Sequence, residues 1–180
     1  DVRMVYSPID ALEMAGKHPD RQVVFAGVGF ETTAPGTAAC LMEARERRMS
    51  NFSVLSLLKT TEPAVRALVD APQMRECRID GFLCPGHVAV ITGADSFAFL
   101  PEEYGLPAVV SGFEPEDLVV SVYLLVKMLA EGRPALVNEY ARLVRGSGNP
   151  AARKAVDAVF APGGSLWRGL GEISESGLAI

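Results

Sequence analysis

The sequence has few cysteines, no long apolar run and no excess of basic residues, and each absence excludes a class of protein. Cys40, Cys77 and Cys84 match neither a paired-cysteine metal site nor a redox Cys-x-x-Cys motif, so reduced thiols in a cytoplasmic protein are expected. No run approaches the roughly 18 apolar residues of a membrane span, which argues against a membrane protein. The net charge is −5, with 17 Lys plus Arg against 22 Asp plus Glu. Because no basic excess is available to neutralise phosphates, we do not expect the chain to bind nucleic acid.

The chain also lacks an initiator methionine and any targeting segment before Asp1. We therefore expect it to be part of a longer protein. Its 180 residues suit one domain, or one domain with a fragment of a neighbour.

Short apolar runs rich in β-branched residues alternate with segments typical of helices. The runs are Met4–Tyr6, Val23–Ala26, Phe52–Leu58, Ile79–Cys84 and Ala108–Ser111. Because such alternation is typical of parallel sheets with right-handed crossovers, it predicts an α/β fold. We expect a doubly wound, three-layer domain with a mostly parallel sheet of about five strands.

Helix signals support this interpretation and suggest a division of the chain. Helices are predicted to begin at Ser7-Pro8-Ile9-Asp10, Thr61-Glu62-Pro63 and Glu114-Pro115-Glu116-Asp117. The third has such an apolar body, Leu118 to Ala130, that we expect it to be covered on both sides. After Pro134, helical segments around Ala135–Val144 and Ala151–Val159 precede a Gly-rich tail. The prediction is an α/β domain, residues 1–133, and a helical and Gly-rich segment, residues 134–180, that packs on it or belongs to a neighbouring domain.

Three loops carry most of the polar groups that could do chemistry, and each follows a predicted strand. They are Gly29-Phe30-Glu31-Thr32-Thr33, Cys84-Pro85-Gly86-His87-Val88 and Gly112-Phe113-Glu114-Pro115-Glu116-Asp117. Because open α/β folds bind ligands beyond the carboxyl ends of their parallel strands, we expect these loops to converge at one edge of the sheet.

Each candidate also has a structural explanation. Glu31, Thr32 and Thr33 could hold a polar ligand or could cap the helix predicted over Ala34–Arg48. His87 could transfer protons or bind a metal ion, or could be satisfied by local backbone bonds, and convergence with the Glu31 loop favours the functional interpretation.

For the remaining candidate residues, a structural role is the simpler explanation. Glu114 and Asp117 are explained more simply by the helix dipole, which stabilises acids in a first turn. Thr32 stands where a dinucleotide-binding fingerprint needs its third glycine. Cys84 is expected to be buried at a strand end.

Several short segments occur in an order and at a spacing found in one known family. They are Tyr6-Ser7-Pro8, Gly29-Phe30-Glu31-Thr32-Thr33, Pro85-Gly86-His87-Val88, Gly112-Phe113-Glu114-Pro115 with Asp117, Gly148-Asn149 and Trp167-Arg168-Gly169-Leu170-Gly171. Together they resemble the HypD family of hydrogenase maturation factors over the whole chain. The resemblance implies a metallocentre-assembly scaffold, with HypC, on which the Fe(CN)2CO unit of NiFe hydrogenase is built. HypE would deliver the cyanide, and the full-length family carries a 4Fe-4S cluster and binds Fe(CN)2CO transiently.

The resemblance also implies roles for individual residues beside an interdomain cleft. His87 would transfer a proton or orient a ligand, and Glu31, Thr32 and Thr33 would position polar groups. The residues expected to line the cleft or stand behind it are Gly29, Phe30, Pro85, Gly86, Glu114 and Asp117. The family's cysteine segments are absent, so this chain is expected to bind no metal and no cofactor, and to be inactive in isolation. Ala89 stands where the family often has serine.

The expected partners are HypC-like and HypE-like proteins and the remaining domains of the parent chain. Whether the chain is an enzyme is left open. Two alternative functions also remain open, a nucleotide-binding Rossmann-like enzyme domain and a non-catalytic protein-interaction module.

Overall fold

The computed structural model describes residues 1–71 and 79–180. They form two compact units, the first comprising Asp1–Pro63 with Ala151–Ile180 and the second Ala64–Pro150. The chain divides between residues 63 and 64 and between residues 150 and 151. The domain boundary predicted between residues 133 and 134 stays a prediction. No helix in the described ranges is long and apolar enough to cross a membrane.

The secondary structure alternates as an α/β chain should. The helices are α1 (Pro8–Lys17), α2 (Ala34–Glu46), α3 (Thr61–Asp70), α4 (Gly86–Thr92), α5 (Phe99–Tyr104), α6 (Pro115–Glu131) and α7 (Pro150–Asp157). The strands are β1 (Val23–Gly29), β2 (Phe52–Leu58), β3 (Phe82–Pro85), β4 (Ala108–Ser111), β5 (Leu136–Asn138), β6 (Ala161–Trp167) and β7 (Gly171–Ala179). A 3-10 helix spans Ala94–Phe97.

Unit 1 is built on a two-stranded parallel sheet. β1 and β2 pair over their full length, from Val23 opposite Phe52 to Gly29 opposite Leu58. The core against one face consists of Ala11, Leu12, Ala15, Cys40, Ala44 and Phe52. The other face leaves Val24 and Leu55 more than half exposed. One covered face explains why side chains of these strands alternate between exposed and at least partly buried.

The end of the chain forms an antiparallel hairpin of β6 and β7 that packs beside β2 in unit 1. Ser56 Oγ donates to the Leu178 carbonyl at 2.5 Å. The predicted helix Ala151–Val159 corresponds to α7. Of the helical segments predicted within residues 134–180, only this one forms a helix. The Gly-rich tail pairs as the hairpin, with Gly163 opposite Gly177.

Unit 2 is built on a three-stranded parallel sheet in the order β3-β4-β5. β4 is central, and all four of its residues are buried. The main core cluster consists of Cys84, Val88, Ala89, Ala94, Phe97, Phe99, Leu100, Ala108, Val110, Tyr140 and Val144. Since all three strands are parallel, their carboxyl ends lie at one edge of this sheet.

The α/β class and the parallel pairing are confirmed, but the single doubly wound sheet of about five strands is wrong. β1 to β4 overlap four of the predicted strands, yet they belong to two separate sheets. Met4–Tyr6 forms no strand. The helix predicted over Ala135–Val144 is also wrong, because Leu136–Asn138 pairs with the edge of β4. That pairing is a tertiary interaction that local propensity does not report.

Helix α6 differs from its prediction in burial. Ser121 and Met128 are buried on its inner face. Val119, Tyr123 and Val126 are 71%, 62% and 58% exposed on the other face, so the expected cover on both sides is wrong for this chain.

Candidate functional site

The loop Gly29–Thr33 of unit 1 joins β1 to α2 through a tight turn. Thr33 Oγ1 donates to the Phe30 carbonyl at 3.1 Å. A Cβ on Gly29 would lie 2.1 Å from the same Thr33 oxygen, so only glycine leaves room for this hydroxyl. Thr32 and Thr33 are exposed, whereas Glu31 is half-buried.

Glu31 connects this loop to the start of α3. Its carboxylate accepts a hydrogen bond from the Thr61 N–H at 2.5 Å and one from Thr61 Oγ1 at 3.0 Å. The first N–H groups of a helix lack partners within the helix, and the helix dipole favours a negative charge there. The capping role proposed for Glu31 is therefore present, but at α3 and not at α2.

An aromatic and cationic cluster lies beside the same loop. The rings of Phe30 and Trp167 are 5.9 Å apart, and Lys59 Nζ lies 4.9 Å from the Trp167 ring centroid. Lys59 Nζ also donates to Ser165 Oγ at 2.6 Å, which fixes it to β6. The sequence analysis names Trp167 only in the Trp167–Gly171 segment that resembles HypD, and it does not predict a role for Lys59. The hairpin pairing that brings Trp167 here has no local signal in the sequence.

His87 lies in the first turn of α4 in unit 2, directly after β3. Its imidazole is exposed and stacks on Phe113, with centroids 4.2 Å apart and planes at 34°. The Tyr140 ring lies further away, at 6.5 Å. His87 follows β3 and Phe113 follows β4, so neighbouring strands place the two rings side by side.

Asp117 is almost fully buried at the start of α6, with 4% of its surface exposed. Two Arg142 N–H groups donate to its carboxylate at 2.8 and 2.5 Å, and the Glu114 N–H donates at 3.3 Å. The hydrogen bonds from Arg142 lower the pKa of Asp117, although burial opposes them. A Cβ on Gly112 would lie 1.8 Å from Asp117 Oδ2, so this loop also requires glycine. Glu114 itself is exposed.

Two predicted loops therefore meet at the carboxyl edge of the unit 2 sheet, together with residues from the end of β5 that sequence reasoning missed. Tyr140 and Arg142 fall within the helix predicted over residues 135–144, and neither was predicted as a site residue. The loop of Glu31 follows a strand of another sheet. The expectation that all three loops meet at the edge of one sheet is wrong for that reason.

The segment Gly146–Asn149 supports α4 from its far end. The Asn149 N–H donates to the Ile91 carbonyl at 3.1 Å. A Cβ on Gly148 would lie 2.4 Å from the same carbonyl oxygen, and one on Gly93 would lie 2.0 Å from the Gly146 oxygen. The Gly148-Asn149 segment thus packs closely on the helix that carries His87.

Cys40 and Cys84 are both buried free thiols. Burial raises the pKa of Cys84 to about 12, and burial followed by the nearby Glu43 raises that of Cys40. Cys77 lies outside the described residues. In the described ranges no group of three or more His, Cys, Asp and Glu residues could hold a metal ion. Thiolates are the ligands of iron-sulfur clusters, and burial disfavours the thiolate form of Cys40 and Cys84, so these two side chains do not fit such a group.

The fold and these loops define an α/β protein with candidate polar groups at strand ends. The family model HypD, described as "Hydrogenase formation hypA family", matches residues 1–180. The chain is 48% identical over 181 residues to the hydrogenase maturation factor HypD of Rhodobacter capsulatus, covering 100% of this chain and 47% of the relative. It is 44% identical over 181 residues to HypD of Escherichia coli K12, covering 100% and 48%.

The chain is also 42% identical over 184 residues to HypD of Cupriavidus necator, covering 100% of this chain and 48% of that relative. It belongs to the HypD family. It spans about half the length of the curated relatives it matches.

Proposed function

We propose that this chain acts as part of a HypD-like maturation factor and that His87 works at the site where the Fe(CN)2CO unit of NiFe hydrogenase is assembled. The observation that carries the proposal is the exposed imidazole of His87, which belongs to the Pro85–Val88 segment that resembles the family's Pro-Gly-His-Val and lies against Phe113. Relatives named hydrogenase maturation factor HypD align with the whole chain, which supports the same role.

His87 is proposed to move a proton or to orient a ligand, since an imidazole can donate and accept near neutral pH. Glu31, Thr32 and Thr33 are proposed as positioning groups. Thr61 orients the Glu31 carboxylate, and the hydroxyls of Thr32 and Thr33 lie on exposed residues. Phe113 is added to the proposed set because its ring lies 4.2 Å from that of His87.

The proposed partners are HypC-like and HypE-like proteins and the remaining domains of the parent chain, and the proposed location is the cytoplasm. The 4Fe-4S cluster is assigned to the parent protein and not to this chain. The buried Cys84 and Cys40 support that assignment, since burial raises the pKa of both thiols and so disfavours the thiolate that binds iron.

Replacing His87 by Ala in the full-length parent protein tests the proposal. The variant is produced in cells that lack their own HypD, and hydrogenase activity is measured. General acid-base groups contribute roughly 10²–10⁴-fold to a rate, so we expect maturation to fall to the level of cells without the gene. His18→Ala is the matched control, because His18 is the other histidine of this chain and lies in a Lys17-His18-Pro19 turn. Normal maturation by His87→Ala would refute the proposal.

His87→Gln separates this function from the interaction-module alternative. Glutamine keeps polar contacts but cannot take up a proton near neutral pH. A loop that only docks a partner would tolerate this change, whereas proton transfer by His87 predicts loss of maturation. The nucleotide-binding alternative gains no specific support, since Thr32 still stands where its fingerprint requires glycine.

A further inference from the structure

The ring of Tyr140 lies between the two loops of unit 2 that carry His87 and Phe113. It is buried, with 7% of the residue exposed. A Cβ on Gly86 would lie 2.6 Å from Tyr140 Cδ1, and a Cβ on Gly112 would lie 2.7 Å from Tyr140 Cδ2. Because Cδ1 and Cδ2 are on opposite sides of the ring, the two glycines make room for its two edges.

The backbone and a neighbouring cation fix this ring in place. The Tyr140 N–H donates to the Val110 carbonyl of β4 at 3.2 Å. The Tyr140 carbonyl accepts from the N–H of Val144 at 2.9 Å. The guanidinium of Arg142 lies 4.5 Å from the ring centroid and binds Asp117 at the same time. Tyr140 is therefore tied to the central strand, and its neighbour Arg142 is tied to the start of α6.

The two glycines that contact this ring are the neighbours of the stacked residues. Gly86 immediately precedes His87, and Gly112 immediately precedes Phe113. Each glycine backbone packs on the same tyrosine ring, and Gly86 packs also on the Ser111 carbonyl of β4.

We propose that Tyr140 is a positioning residue that sets the distance and angle between His87 and Phe113. Its importance for maturation rests on the function proposed above, whereas its effect on the two rings does not. A residue that only filled the core would change the free energy of unfolding and leave the ring stack intact.

Nuclear Overhauser effects between the His87 imidazole protons and the Phe113 ring protons measure the stack directly in the 180-residue chain. The chain has two histidines, so spectra of a His18→Gln variant assign the imidazole signals. We expect the cross-peaks in the wild type and in Tyr140→Phe, which keeps the ring. We expect their loss in Tyr140→Leu, which lacks it, while the remaining amide spectrum stays native.

Unchanged cross-peaks in a folded Tyr140→Leu protein would overturn the inference. If Tyr140→Leu fails to fold, Tyr140→Met gives the same readout, because the unbranched methionine side chain fills irregular gaps without a planar ring.

The same variants in the full-length parent separate the two proposals. Positioning of a functional His87 predicts that maturation falls with Tyr140→Leu and is retained with Tyr140→Phe. Lost cross-peaks together with normal maturation by Tyr140→Leu and by His87→Ala would support the positioning role and refute the proposed function.

Discussion

Asp117 combines two structural roles in one side chain. It accepts the Glu114 N–H at the start of α6, as first-turn acids commonly do. It also accepts two hydrogen bonds from Arg142, which follows β5. A planar guanidinium matches a carboxylate with two parallel bonds, so this pair fixes the direction of the Gly112–Asp117 loop.

Replacing Asp117 by Asn should produce a pH-dependent loss of stability. Arg142 lowers the pKa of Asp117 in the folded chain, so the stabilisation is fully present above the unfolded pKa of about 3.9 and is lost as the pH falls through the folded pKa. Urea unfolding at several pH values should show a wild-type advantage near neutral pH that shrinks in acid.

Glu116→Gln is the matched control for this series. Glu116 lies in the same first turn but is exposed, so its replacement should have a small and weakly pH-dependent effect. An Asp117→Asn difference that stays constant down to about pH 2 would contradict the pKa argument.

Sequence reasoning identified Glu114 and Asp117 as helix-start acids but not the partner of Asp117. The signal for a helix start is local, because Glu-Pro-Glu-Asp follows directly in the chain. Arg142 is 25 positions away from Asp117, and the two meet only because β5 pairs with β4. The same pairing explains why Tyr140 was missed.

The β6–β7 hairpin is held together around the only tryptophan of the chain. Trp167 Nε1 donates to Ser176 Oγ at 2.8 Å, and Ser176 Oγ donates to the Ile173 carbonyl at 2.8 Å. Ser176 is fully buried. The hydroxyl thus links both strands next to the Phe30 ring.

Ser176→Ala should destabilise unit 1 by about 1–3 kcal/mol, because the indole N–H loses its acceptor in a partly buried position. Trp167 is the only tryptophan, so its fluorescence reports urea unfolding of the unit that contains the hairpin. The exposed Ser174→Ala, in the same strand, should remain within about 0.5 kcal/mol of the wild type. Equal effects of the two changes would show that the Trp167 bond contributes nothing measurable.

Elements with a local signal were predicted well, and those formed by long-range pairing were not. Ala108–Ser111 matches β4, which is buried along its whole length as a continuous apolar run predicts. Phe52–Leu58 matches β2 in its bounds, but the strand alternates between buried and exposed side chains. The hairpin contains Pro162 and several glycines, which weaken any strand signal. Met4–Tyr6 has the composition of a strand, but in the described structure no neighbouring strand pairs with it.

Both units expose apolar surface on one side of a regular element. In unit 1 the open face of β1 and β2 carries Val24 and Leu55. In unit 2 the outer face of α6 carries Val119, Tyr123 and Val126, at a spacing that places them on one side of a helix. Monomeric proteins rarely expose a row of apolar residues, whereas single exposed apolar residues are common.

Lysine substitutions on the two faces of α6 test whether its outer face is open to solvent in this chain. Val126 is 58% exposed, so Val126→Lys should change the free energy of unfolding by no more than about 0.5 kcal/mol. Met128 is 8% exposed, and Met128→Lys should cost about 2–4 kcal/mol because it buries an unpaired charge. Chemical unfolding of both variants gives the comparison. A cost for Val126→Lys as large as for Met128→Lys would mean that this face is covered in solution, and sedimentation analysis would then show whether a second copy covers it.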